Sequence, residues 1–234
     1  MESISSRSVV ILPARCGVSR VLVLQAGFTL IELLVVTAII TVVTSIALVG
    51  QSSFNRSVLL TDAAYILATS VRQAQSLGLS SREFGGTGNA GYGIDVSAGA
   101  DFYTVFADLY PSVVAKYGAG ATPEKKPGNG LYDPSHSELF ETYRFGRGVT
   151  IGSVCGVPQA GGEAICSGAG QTALRSADVV FTRPNTETVI TGTRQSGSTV
   201  PLANASMTVV APSGESRCVN VSQVGQISVS AVCP

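Results

Sequence analysis

The sequence predicts an α+β fold, a long N-terminal helix packed on an antiparallel β-sheet head. Three observations predict it. No proline interrupts residues 28–78, whose first part is apolar on every side and whose second part carries one apolar stripe at helical spacing. Beyond Gly91 the hydrophobic period changes to two, in short runs set apart by turn residues. Charged residues are only 13% of the 234-residue chain. With Gly, Ser, Thr and Val plentiful, that composition suits a β-rich domain outside the cytosol better than a charged cytosolic enzyme. The length accommodates one ordinary domain plus an anchor.

Residues 28–50 form the first half of the predicted helix. From Phe28 to Val49 nearly every side chain is Leu, Ile, Val, Ala, Phe or Thr, and Glu32 is the one charge. Such a run spans roughly 30 Å as a helix, enough to cross a bilayer core. An acid at mid-membrane costs on the order of 3 kcal/mol, less near the interface, so Glu32 calls for a partner. Thr29, Thr37, Thr41, Thr44 and Ser45 have two outlets for their hydroxyls, their own helix backbone or a packed neighbour. Residues 51–78 continue the helix with amphipathic character. Leu59, Ala63, Ile66, Leu67, Val71, Ala74 and Leu77 recur at three- and four-residue spacing, while Asp62, Arg72, Gln73 and Gln75 fall elsewhere on the wheel. Gly78 is the expected stop, giving one helix of about 75 Å.

Residues 79–234 are the head. Ser80–Gly91 reads as a glycine-rich linker. Strands are predicted at Tyr92–Val96, Phe102–Asp108, Leu139–Phe145, Val149–Val154, Asp178–Thr182, Glu187–Thr191, Ser206–Val210, Ser216–Val221 and Gln226–Val232. Turn signals separate them, among them Gly146-Arg147-Gly148, Pro212-Ser213-Gly214 and Val224-Gly225. The last two strands read as a hairpin. Two irregular stretches interrupt the pattern, a proline-rich one between Tyr110 and Ser137 and a glycine-rich one at Gly156–Gly170. No internal repeat is present.

The chemistry to be excluded is broad. Fifteen basic residues balance 15 acidic ones, so no global field draws in nucleic acid or anionic lipid. His136, the single histidine, sits in Asp133-Pro134-Ser135-His136 and reads as a solvated loop side chain. No Gly-x-Ser-x-Gly elbow occurs. Gly85-Gly86-Thr87-Gly88 lacks the lysine and the strand–helix context of a phosphate loop. Lys125-Lys126, beside Glu124, is too small a patch for a nucleic-acid footprint. The expectation is a chain that is not an enzyme and that needs no metal or cofactor.

The stretch Gly27-Phe28-Thr29-Leu30-Ile31-Glu32-Leu33-Leu34-Val35-Val36 resembles the class III signal of type IV prepilins and type II secretion pseudopilins, without departure across those ten positions. The resemblance implies the type IV pilin fold. It also implies that a prepilin peptidase cuts after Gly27 and methylates the new N-terminus at Phe28. Glu32 then stands at the family's hallmark acidic position, where it pairs with the free amine of Phe28 on a neighbouring subunit during assembly. The implied partners are the prepilin peptidase, other pilin or pseudopilin subunits met through the helix, and a membrane assembly platform. The implied location is the cytoplasmic (inner) membrane, crossed once with the head outside, and then a filament. Residues 1–27 would be the leader, longer than is usual, with apolar patches at Val9–Leu12 and Val21–Leu24. Its three arginines against one acid place it on the cytoplasmic side. A secretory signal peptide is the competing reading, but the run after Phe28 is too long and no A-x-A-like site follows it.

Leader removal takes away three basic residues, one acid and Cys16, leaving 12 basic against 14 acidic residues. Cys155, Cys166, Cys218 and Cys233 remain. Four cysteines allow three connectivities, of which Cys155–Cys166 with Cys218–Cys233 is favoured because each closes a short loop. Neither pair has metal-ligand spacing, so an oxidising compartment is the better reading. The head resembles the GspH/FimT type of minor pseudopilin or minor pilin in Val71–Ser76, in Tyr92-Gly93-Ile94-Asp95 and in the closing Val219–Val229 strand–Gly–strand pattern. Some relatives of that type bind DNA through C-terminal arginines, but residues 218–234 hold no Lys or Arg. Major pseudopilins carry a calcium site in an Asp-rich C-terminal loop, and residues 201–234 hold no Asp. The expected function is that of a minor pseudopilin in a type II secretion pseudopilus. A minor type IV pilin with a ligand- or DNA-binding head is the alternative, and an anchored extracytoplasmic enzyme, for which no candidate residues exist, ranks last.

Overall fold

A computed structural model describes residues 27–80, 82–86, 90–110, 128–183 and 187–233. The expected leader, apart from Gly27, and the stretch 111–127 with Lys125-Lys126 lie outside the described residues. The chain divides between Val49 and Gly50 into two units. A single helix, α1 (Leu30–Leu79), contributes to both. In the first unit it is an apolar helix whose described side chains, through Leu48, are all exposed.

The second unit holds the head, with every strand pair antiparallel. Six strands form one sheet in the order β3-β2-β1-β6-β7-β8. They are β1 (Gly91–Ser97), β2 (Phe102–Asp108), β3 (Leu139–Arg144), β6 (Leu174–Phe181), β7 (Thr188–Arg194) and β8 (Thr199–Leu202). Five form another in the order β11-β10-β9-β4-β5. They are β4 (Thr150–Gly156), β5 (Ile165–Cys166), β9 (Asn204–Val210), β10 (Ser216–Ser222) and β11 (Ile227–Ser230). The strand positions follow the period-two runs, and β10–β11 is the expected hairpin. Two features go beyond the sequence reading. The strands divide between two sheets, which periodicity does not foretell, since it marks a strand's faces and says nothing of its partners. The expected strands do not include β5, which is two residues long, or β8, which contains Pro201. Proline is tolerated in β8 because that strand is the outermost of its sheet.

One apolar cluster draws on α1 and both sheets. From α1 come Leu60, Ala63, Ala64, Leu67, Ala68, Val71 and Ala74, all buried. The stripe is therefore rotated from the one read in the sequence, where Leu59 and Ile66 were included. Ile66 is exposed. It lines, with Leu59, Asp62, Tyr103, Tyr143 and Arg147, a groove of about 350 Å³ beside the helix. Alanine explains the rotation, since it supplies little hydropathy to a wheel yet lets a helix lie close to strands.

Polar contacts also fix the helix against the head, among them one in the core and one at its C-terminal end. Ser70 Oγ and Tyr103 Oη lie 2.8 Å apart in the core, and Gln75 Nε2 donates to the Gly225 carbonyl at 3.2 Å. Helix and sheet lie close together at Gly78. A Cβ there would stand 2.2 Å from the Phe181 carbonyl oxygen of β6. The glycine expected to stop the helix thus admits a strand, and α1 runs one residue past it.

Because the obstructing atom belongs to the backbone, Gly78→Ala should destabilise the head by about 1–3 kcal/mol, in spite of alanine's ~1 kcal/mol better helix propensity. Thermal unfolding of the detergent-solubilised chain, read against wild type, measures it.

Candidate functional site

Gly27, Phe28 and Thr29 precede α1, and all three are exposed. Thr29 caps the helix. Its Oγ1 accepts the Glu32 backbone N–H at 3.3 Å, and its carbonyl accepts Leu33 N–H at 3.1 Å. Threonine with glutamate three residues on is the spacing of a capping box. The sequence carries that signal in Thr29-Leu30-Ile31-Glu32. The cap begins the helix directly after the bond between Gly27 and Phe28. It also places Glu32 in the first turn, where the helix dipole favours a negative charge.

The helix beyond it has the length and composition to cross a membrane. Leu30–Leu48 has a mean hydropathy of 2.4 and none of it is buried. Its polar side chains are satisfied internally. Thr37 donates to the Leu34 carbonyl, Thr41 to those of Thr37 and Ala38, Thr44 to that of Ile40, and Ser45 to that of Thr41. Of the two outlets open to these hydroxyls, the chain by itself uses its own backbone. Glu32 is the one charged side chain in the apolar run, and its carboxylate has no hydrogen-bond partner among the described residues. The geometry assembles three exposed residues ahead of the helix, a capped first turn with one acid, and an apolar surface exposed on every side.

The remaining candidate residues lie in the head. Disulfides join Cys155 to Cys166 and Cys218 to Cys233. The first closes the cross-strand pair of β4 and β5, and the second ties β10 to the segment after β11. His136 is exposed, stacks on the Tyr110 ring at 3.8 Å and lies 3.2 Å from Ser135 Oγ. Among the described residues, no group of three or more His, Cys, Asp or Glu is disposed to hold a metal.

Residues 24–48 match the family model described as the prokaryotic N-terminal methylation motif. No curated protein and no solved structure matches the chain.

The Cys218–Cys233 bond closes a loop of sequence separation 15. Replacing both cysteines with alanine should lower head stability by roughly 2–4 kcal/mol. Chemical denaturation of the oxidised wild type and the double variant, side by side, measures the difference.

Proposed function

We propose that this chain, whose residues 24–48 match the prokaryotic N-terminal methylation motif, is a type IV pilin-like subunit that acts as a minor pseudopilin of a type II secretion pseudopilus. The observation that carries the proposal is the isolated carboxylate of Glu32, in the first turn of an apolar helix whose other polar side chains bond to their own backbone. Cleavage after Gly27 liberates the amine of Phe28, and the amine of a neighbouring copy or related subunit is the charge that Glu32 meets. The helix holds the free subunit in the cytoplasmic membrane, crossing it once, and then enters the filament core.

Moving the helix from lipid to filament changes its apolar contacts little, because lipid tails and neighbouring helices are about equally apolar. The decision therefore falls to packing and to the ion pair, which offsets the desolvation of two charges at once. A cytoplasmic ATPase supplies force through the membrane platform. The chain itself catalyses nothing. The absence of Lys and Arg from residues 218–234 weighs against the alternative of a DNA-binding minor pilin.

N-terminal mass spectrometry of membrane-extracted protein tests the processing step. The expected product begins at Phe28 as N-methylphenylalanine, and any other start overturns the reading. Glu32→Ala should leave cleavage intact while cutting incorporation into the filament about tenfold or more, as expected for a charged hydrogen bond worth roughly 1.5–3 kcal/mol. Cysteine crosslinking between subunits reads that step separately, and normal incorporation of the variant refutes the pairing.

A further inference from the structure

The groove beside the head half of α1 is bounded by Leu59, Asp62 and Ile66 of the helix and by Tyr143, Phe145 and Arg147 of β3 and the turn after it. Its helix rim is apolar where a helix surface usually meets water. Val58, Tyr65 and Ile66 stand on successive turns, each about half exposed. Two charges line the groove without meeting. Asp62 and Arg147 are both exposed, and neither makes a hydrogen bond or ion pair among the described residues. Arg144, which also lines it, is by contrast tied to Asp101 at 3.0 Å and lies over the Phe102 ring.

Arg147 is also held at a cost. Its φ of 55° lies in the left-handed region, which among the described non-glycine residues only Ser137 shares. Glycines stand on both sides of it, and glycine at 147 itself would relieve the backbone. A strained residue whose side chain its own fold leaves unused points to a partner outside that fold.

We propose that this face is a contact between two copies of this chain, related by a two-fold axis, with Arg147 of each paired to Asp62 of the other. The patch carries its own complement, because an acid, a base and apolar surface share one groove. A two-fold contact sets the first residue of a pair against the second and the second against the first, so one patch yields two ion pairs. A partner of a single charge sign would instead meet one attraction and one repulsion. Val58, Tyr65 and Ile66 would lose their solvent exposure in the contact, and tyrosine and arginine are side chains that protein interfaces favour. The contact needs no strand pairing. It asks nothing of Glu32 or of cleavage after Gly27, so it stands or falls separately from the filament reading.

Sedimentation equilibrium of the full chain in density-matched detergent micelles tests this. Wild type should show a monomer–dimer equilibrium that moves toward monomer as salt rises. Asp62→Arg and Arg147→Asp should each raise the dissociation constant about tenfold, since either reversal turns two attractions into two repulsions. Both positions are exposed, and aspartate tolerates the left-handed backbone, so the fold is kept. Combined in one chain, the two reversals exchange the signs of the pair, and the constant should return to within about threefold of wild type. Arg147→Gly, which suits the backbone better, should also weaken the dimer by several-fold. A monomeric wild type, reversals or Arg147→Gly without effect, or a double variant no tighter than the single ones each overturns the proposal.

Discussion

The head is organised by how closely a helix can lie against strands. Along the buried face of α1, Ala63, Ala64, Ala68 and Ala74 alternate with Leu60, Leu67 and Val71. The small residues bring the axis near the sheet, and the large ones fill the space between contacts. Gly78 takes this to its limit by admitting the Phe181 carbonyl. Tyr103 then reaches Ser70 across the interface, so a polar group in the core has its partner. Seating the helix this way determines what it leaves outside. Val58, Tyr65 and Ile66 face solvent, the last lining the groove with Tyr143 and Arg147.

Much of this was legible in the sequence, because period and turn chemistry are local. The proline-free run gave α1 to within a residue or two at each end, and alternation gave the longer strands. What escaped depends on distant neighbours. The helix stripe was misplaced by its alanines, whose contribution is proximity and not hydropathy. Pro201 by itself disfavours a strand, and its outermost position makes it compatible. Asp95 and Asp178 stand in period-two runs, where alternation says which residues share a face and not what covers it. Nothing nearby announces that residues 128–138 return to bury Asp178 and Asp108.

The N-terminal site was legible to a different degree. Gly27, Phe28 and Glu32 declare themselves by type and spacing in an otherwise apolar run. The cap formed by Thr29 shows more fully why that spacing matters. Through its backbone N–H, Glu32 helps begin the helix, while its side chain stays available for another molecule. The serine and threonine hydroxyls that follow close on their own carbonyls, so the segment approaches lipid or helices with little polar demand apart from that acid. Local structure thus leaves one charged group in this segment without a partner among the described residues.

The sheet margins carry a consequence for a protein concentrated in the plane of a membrane, where copies collide often. An open strand edge offers unpaired amides to any identical edge nearby, and polymerisation by that route would compete with ordered assembly. Each margin here is a poor template. β8 lacks an amide at Pro201, β11 is four residues long, and β5 is two residues held by a cystine. The fourth, β3, presents Glu141 and Arg144 and meets β2 through an irregular register. Strand pairing between heads is therefore disfavoured, which under the proposed function leaves association to the helices.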